Sequence, residues 1–184
     1  MKAMTLRMAK AFRRFTRDRR GVSAVEFALL APVMVGLYLG CAEVSAGVSV
    51  DRKVSLTAAA LANLTSQVTT ISSTDMTNIL DASTAIIAPY AAANLKMTVS
   101  CLSIDATQKV TVKWSVTRGG AVESGTLTIP SALAVANSQL IYSEVSYAYT
   151  PTVGYTITGT LTLSDHMYMS PRITAPTYVA AACT

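Results

Sequence analysis

The sequence predicts an α+β fold: a long N-terminal helix, a second shorter helix, and an antiparallel sheet of four to five strands. Three observations carry that prediction. An apolar run from Val22 to Ala42 leads into helical periodicity that continues to about residue 68. A second helical stretch is bounded by a capping pattern and a proline. Beyond Leu95 the apolar residues recur at every second position instead.

The first element opens on charge. Residues 1–20 hold eight Lys or Arg against Asp18 alone, whereas the remainder holds seven Lys or Arg and nine Asp or Glu. The basic excess therefore belongs to a short leader, and the body offers no basic face of the kind that nucleic acid requires. From Val22 to Ala42 follow 21 residues with one ionisable group, Glu26. As a helix this run is about 31 Å long, close to the thickness of a bilayer's hydrocarbon core. The positive-inside bias places the N-terminus in the cytoplasm and the bulk of the chain across the membrane. A secretory signal shares the basic region and the apolar core, and small residues at Ala42, Ser45, Ala46 and Gly47 would suit a signal peptidase. The run is nevertheless longer than such a core, and Glu26 lies inside its start.

A carboxylate in an apolar span is costly and asks for a partner. One reading has Glu26 snorkelling, or pairing with the neighbouring arginines. Spacing offers another. Were the chain cut after Gly21, Val22 would become the amino terminus, four residues before Glu26 and about 6 Å from it in helical rise. A free amine at a helix N-terminus opposes the helix dipole, and a carboxylate from the same or a neighbouring chain would offset it. Pro32 removes one backbone hydrogen bond in mid-segment, and Gly36 and Gly40 offer small positions for close helix packing.

The run Arg19-Arg20-Gly21-Val22-Ser23-Ala24-Val25-Glu26-Phe27-Ala28-Leu29 resembles a type IV prepilin processing site, and is similar to the signature of TadE/TadG-like proteins of tight-adherence pilus systems. Pro32, Gly40 and Glu43 also fall where that family commonly carries proline, glycine and glutamate. The resemblance covers Arg19 to about Glu43 and is looser beyond. It implies a leader of residues 1–21 removed after Gly21 by a prepilin peptidase, and an assembly role for Glu26. It also implies a bacterial inner-membrane location with other pilins, pseudopilins and assembly proteins as partners. Major pilins of the family are very short, so the long remainder of this chain points to a minor pilin or assembly component of the TadE type. Such a component would support pilus biogenesis and surface adhesion. The alternative is an uncleaved single-pass envelope scaffold or binding protein.

On this reading residues 22–43 form the transmembrane helix and residues 44–184 an extracytoplasmic domain that begins with a helical stalk. Val50, Val54, Leu61, Leu64 and Val68 draw one stripe along that stalk, and Asp51, Arg52 and Lys53 mark the exit from the headgroup zone. The second helix is expected over Asp75 to Ala88, with Ser72 and Asp75 as a capping box and Pro89 as the stop. Met76, Ile79, Leu80, Ile86 and Ile87 form its apolar side.

Met97, Val99 and Cys101 then alternate with polar residues, as do Val110, Val112, Trp114 and Val116, and both segments read as half-buried strands. Gly119-Gly120 predicts a hairpin turn into a strand over Val122–Ile129. Leu140–Tyr149 and Tyr155–Leu163 are two more strands, parted by Pro151 and Gly154. Tyr147 and Tyr149 share a face with Val145, as sheet packing or as a contact surface.

In an oxidising compartment Cys101 and Cys183 favour a disulfide, while Cys41 lies in the anchor. The chemistry of an enzyme is not visible. His166 is the only histidine, and no nucleophile elbow, phosphate loop or zinc pattern accompanies it. No cofactor, metal or catalytic residue is expected.

Overall fold

A computed structural model describes residues 20–151 and 159–183. The basic residues of the leader before Arg20 lie outside the described residues. Helix α1 runs without a break over Arg20–Ser66, 47 residues, about 70 Å long. Pro32 is accommodated within it. A two-residue strand β1, Thr70–Ile71, leads to helix α2, Ser73–Thr84, which tightens into a single 3-10 turn over Ala85–Ile87. The sheet strands are β2, Leu95–Ile104; β3, Val110–Arg118; β4, Ser138–Tyr149; and β5, Leu161–Met169. A second two-residue strand, β6, Thr177–Tyr178, pairs in parallel with β1.

The four main strands form one antiparallel sheet in the order β3-β2-β4-β5. The long helix, second helix and sheet are those expected from the sequence. The C-terminal half of α1 lies across β4 and β5. Its seam consists of Val50, Val54, Thr57, Ala58, Leu61, Ala62 and Thr65, all fully buried. Opposite them stand Val99, Ile141, Val145, Tyr147 and Tyr149. The expected stripe is thus right at Val50, Val54 and Leu61 but drifts at its end. Leu64 is half-buried, and Val68 lies past the helix. Small residues occupy the seam because α1 approaches the sheet closely: Ser143 Oγ donates to the Ala58 carbonyl at 2.8 Å.

Helix α2 begins with the capping box, since Ser72 Oγ accepts from the Asp75 N–H at 3.1 Å while the Asp75 carboxylate accepts from the Ser72 N–H. It ends earlier than expected, at Thr84, with the 3-10 turn carrying the chain to Ala88. Met76, Leu80 and Ile87 enter the core.

Three expectations about the strands are corrected. First, β2 is not half-buried: eight of its residues have little or no exposure. Its second face is covered by the segment after β3, where Thr98 Oγ1 donates to the Ala121 carbonyl and Ile129, Leu127 and Leu133 pack on Leu102 and Ile104. Second, Val110, Val112, Trp114 and Val116 do not share a face. Cys101 faces Trp114 while Leu102 faces Val112, so Lys113 is an extra residue. This bulge turns Trp114 and Val116 toward the helix side and Val110 and Val112 toward the other. Third, Val122–Ile129 is not a strand; it touches β3 through an isolated bridge at Thr126 and the bond from Val112 N–H to the Gly125 carbonyl. The turn itself is real, with Gly119 in the left-handed region at φ 69°. The first four residues of the strand expected over Tyr155–Leu163 lie outside the described residues, as does Gly154, and Gly159 and Thr160 are not in a strand. Leu161–Leu163 belongs instead to β5, which runs on to Met169.

Candidate anchor and assembly site

Helix α1 divides at Glu43. From Gly21 to Ala42 every described side chain is exposed or half-buried: Val22, Phe27, Leu29, Leu30, Leu37 and Tyr38 all stand free of the rest of the protein. Among the described residues α1 is the one helix long and apolar enough to cross a membrane. A face of leucine, valine and phenylalanine left bare over some six turns is unfavourable in water and favourable in lipid.

Gly21 and Val22 stand in the first turn of α1, and Glu26 follows one turn on. A Cβ built on Gly21 would meet nothing within 4 Å. Its φ lies outside the left-handed region, so among the described residues neither packing nor backbone conformation requires glycine there. Glu26 is exposed and forms no ion pair or hydrogen bond among the described residues. Gly21, Val22 and Glu26 are thus placed together on one bare helix end. Cys41 is exposed on the same half of α1.

Cys101 and Cys183 form the expected disulfide, with Cα atoms 5.9 Å apart, both in the core. It fastens a strap, residues 170–183, onto β2. Arg172 N–H donates to the Ser66 carbonyl at 3.0 Å, Thr177 N–H to Thr69, and Trp114 Nε1–H to Pro176 at 3.0 Å. The strap thereby satisfies one of the end carbonyls of α1, where the helix has no further turn to do so.

Tyr147 and Tyr149 share the Val145 face as expected, but that face is turned inward against α1 and is buried. They are not an exposed stripe. Tyr142 lies on the opposite face beside Tyr168, ring centroids 5.1 Å apart, and donates to Glu144 at 3.1 Å. Burial, then the Glu144 charge, raises the Tyr142 phenol far above its ordinary range. His166 packs edge-on to Tyr168, and its backbone N–H donates to Asp165. Asp165 is therefore engaged with main chain and not with the imidazole. Among the described residues no group of three His, Cys, Asp or Glu could hold a metal ion.

Two side chains named in the sequence take structural roles that it did not predict. Glu43, 4% exposed, is buried where the bare half of α1 meets the sheet. Burial, the Tyr90 phenol and the Glu43 charge together raise the Tyr149 phenol. Extending the Val50–Val54 stripe back by two turns reaches Glu43, so the signal was there. Lys53 was read as a marker of the headgroup boundary, yet its ammonium donates to the carbonyls of Ile86 and Ala88.

The bare span, the glycine that the fold does not need and the carboxylate one turn later find a counterpart among known proteins. Residues 21–62 match the family of TadE-like proteins. The TadE-like stretch begins at Gly21 and ends within the seam that α1 makes with the sheet, so it takes in the anchor and leaves the strands outside. No curated protein and no solved structure gives a significant match.

Proposed function

We propose that the protein is a membrane-anchored, non-enzymatic minor pilin or assembly component of a tight-adherence pilus system, supporting pilus biogenesis and surface adhesion. The observation that carries this reading is the coincidence of the TadE-like match with Gly21, which the chain's own packing does not explain. A glycine with open space around it among the described residues suits a peptidase that approaches the backbone there. Residues 1–21 are then a leader cut by a prepilin peptidase, residues 22–43 span the inner membrane, and residues 44–184 form the extracytoplasmic domain. The N-terminus is cytoplasmic and the disulfide-bonded part lies across the membrane, where thiols oxidise. Glu26 faces the new amine of Val22, its own or that of a neighbouring pilin in the assembly. The resident partners are the lipid bilayer, other pilins or pseudopilins, and the inner-membrane assembly proteins.

Intact-mass measurement on protein extracted from membranes of cells with an active prepilin peptidase tests the reading. A chain beginning at Val22 is expected. A chain that retains residues 1–21 would point to the uncleaved envelope scaffold instead.

A further inference from the structure

The strap that the disulfide fastens contains a tight turn of unusual composition. Tyr178 N–H donates to the Ala181 carbonyl at 3.0 Å and Ala181 N–H returns a bond to Tyr178 at 2.7 Å, so the chain reverses over Val179 and Ala180 alone. Both stand at positive φ, 43° and 67°. A two-residue reversal with both central residues at positive φ is the kind that asparagine and glycine accept readily. A β-branched side chain does not, because its Cβ crowds the following carbonyl oxygen. Among the described residues Val179 is the one β-branched residue at positive φ.

Packing does not offset that strain, since Val179 is 61% exposed and Ala180 is exposed as well. The turn is held from either side: Val179 N–H donates to the Ile71 carbonyl at 3.1 Å, the Tyr178 ring lies by Trp114, and Cys183 is bonded to Cys101. The rest of the strap is thinly attached. Pro176 and Cys183 are its only buried residues, and its pairing with β1 spans two residues. A hydrogen bond returns, net, no more than the cost of fixing about one residue of backbone. The few bonds at Arg172, Pro176, Thr177 and Val179 therefore do not by themselves order residues 170–183.

We infer that residues 170–183 form a redox latch: the strap closes against the preference of its own Val179–Ala180 turn and stays closed through the Cys101–Cys183 bond, so that the dithiol form of the protein carries it open. Closing is a thiol–disulfide exchange with an oxidant of the disulfide class. The Cys183 thiolate, on the free strap, attacks the oxidant, and the Cys101 thiolate then displaces the mixed disulfide. One protein S–S bond forms, the oxidant's S–S bond breaks, and two electrons and two protons pass to the oxidant, which leaves as two thiols. Once the strap is shut, both cysteines are no more than 1% exposed, and a reducing thiol reaches them only after it lifts. Closure also gives the Ser66 carbonyl at the end of α1 and the Trp114 indole their partners, so oxidation completes the end of the long helix. The inference needs an oxidising disulfide but neither leader processing nor pilus assembly.

The full chain in detergent, with Cys41→Ala to leave two cysteines, tests it. Samples are equilibrated over a series of ratios of reduced to oxidised dithiothreitol, thiols are trapped with a maleimide and counted by intact mass, and Trp114 emission is read in parallel. Emission is expected to move to the red as the bond opens. In Val179→Asn with Ala180→Gly, which suits the turn, half-opening is expected to need a ratio about tenfold higher, equivalent to about 30 mV. Ala182→Gly adds a glycine to the strap outside the turn and is expected not to raise the ratio. Equal midpoints in the parent and the turn variant, a rise in Ala182→Gly as large as that in the turn variant, or unchanged Trp114 emission in fully reduced protein overturns the inference.

Discussion

The ammonium of Lys53 on α1 donates to the carbonyl oxygen of Ala88 at 2.6 Å, and to that of Ile86 at 3.0 Å. Both carbonyls lie where the second helical segment runs out, so the long helix caps the short one through a charged donor. Lys53→Met keeps the stem and removes the donor. Urea denaturation of the detergent-solubilised protein, followed by Trp114 fluorescence, is expected to show a loss of about 1–2 kcal/mol.

The disulfide acts on a larger loop. Cys101 and Cys183 are 82 residues apart, and closing such a loop stabilises the fold by about 4 kcal/mol in the chain-entropy model. The double variant Cys101→Ala, Cys183→Ala is expected to lose a comparable amount and to free the strap. Trp114 reports that release directly, because its indole N–H bonds the strap at Pro176 and its ring lies 5.7 Å from that of Tyr178. A red shift of its emission on reduction is the accompanying signal; an unchanged spectrum and midpoint would show that the strap holds without the bond.

The features legible in the sequence are those set by local pattern. The bare span, the α1 stripe at Val50, Val54 and Leu61, the Ser72–Asp75 box and the β4 strand depend on periodicity or on contacts three residues apart. What was missed depends on residues distant in sequence. The Lys113 bulge reverses the facing of β3 within an unbroken alternation of Val110, Val112, Trp114 and Val116, and alternation alone cannot register an inserted residue. Thr98 and Ser100 look like solvent-facing residues but are buried because a later segment folds over them. The placement of Gly21, Val22 and Glu26 on one helix was legible because sequence spacing along a helix is already geometry.

Acid should weaken the fold through two aspartates. Hydrogen bonds from the Ser72 hydroxyl and backbone N–H hold the Asp75 carboxyl below its ordinary range. Asp105 is held down by the Thr107 hydroxyl and then the Lys109 N–H. A carboxyl whose folded value is depressed stabilises the fold above its unfolded value, and that stability is lost as pH falls through the folded value. Stability is thus expected to be level near neutrality and to decline below the ordinary carboxylate value of 3.8. Asp75→Asn with Asp105→Asn should flatten that decline in thermal melts across an acid pH series.

Ser83 sits on the inward face of α2 with no exposure, and its hydroxyl has no hydrogen-bond partner among the described residues. A buried, unpaired hydroxyl carries a desolvation cost without return. Ser83→Ala is therefore expected to be neutral, or stabilising by up to about 1–2 kcal/mol. A clear loss of stability in the same urea experiment would show that the hydroxyl is bonded.

Glu26 and Gly21 allow insertion, processing and assembly to be separated. Among the described residues nothing holds either residue in place: Gly21 has open space around it, and Glu26 is exposed one turn further on. Glu26→Ala removes the one Asp, Glu, Lys or Arg between Val22 and Ala42, which makes insertion into hydrocarbon easier, not harder. Membrane fractionation should therefore be unchanged, while recovery with partner pilins falls. Gly21→Leu puts a branched side chain at the scissile position without a clash inside the protein, so folding should be unaffected. The chain should then keep its basic leader, a mass increase readable on the intact protein. Normal cleavage of Gly21→Leu would place processing elsewhere, and full assembly of Glu26→Ala would show that the carboxylate is not what neighbouring amines seek.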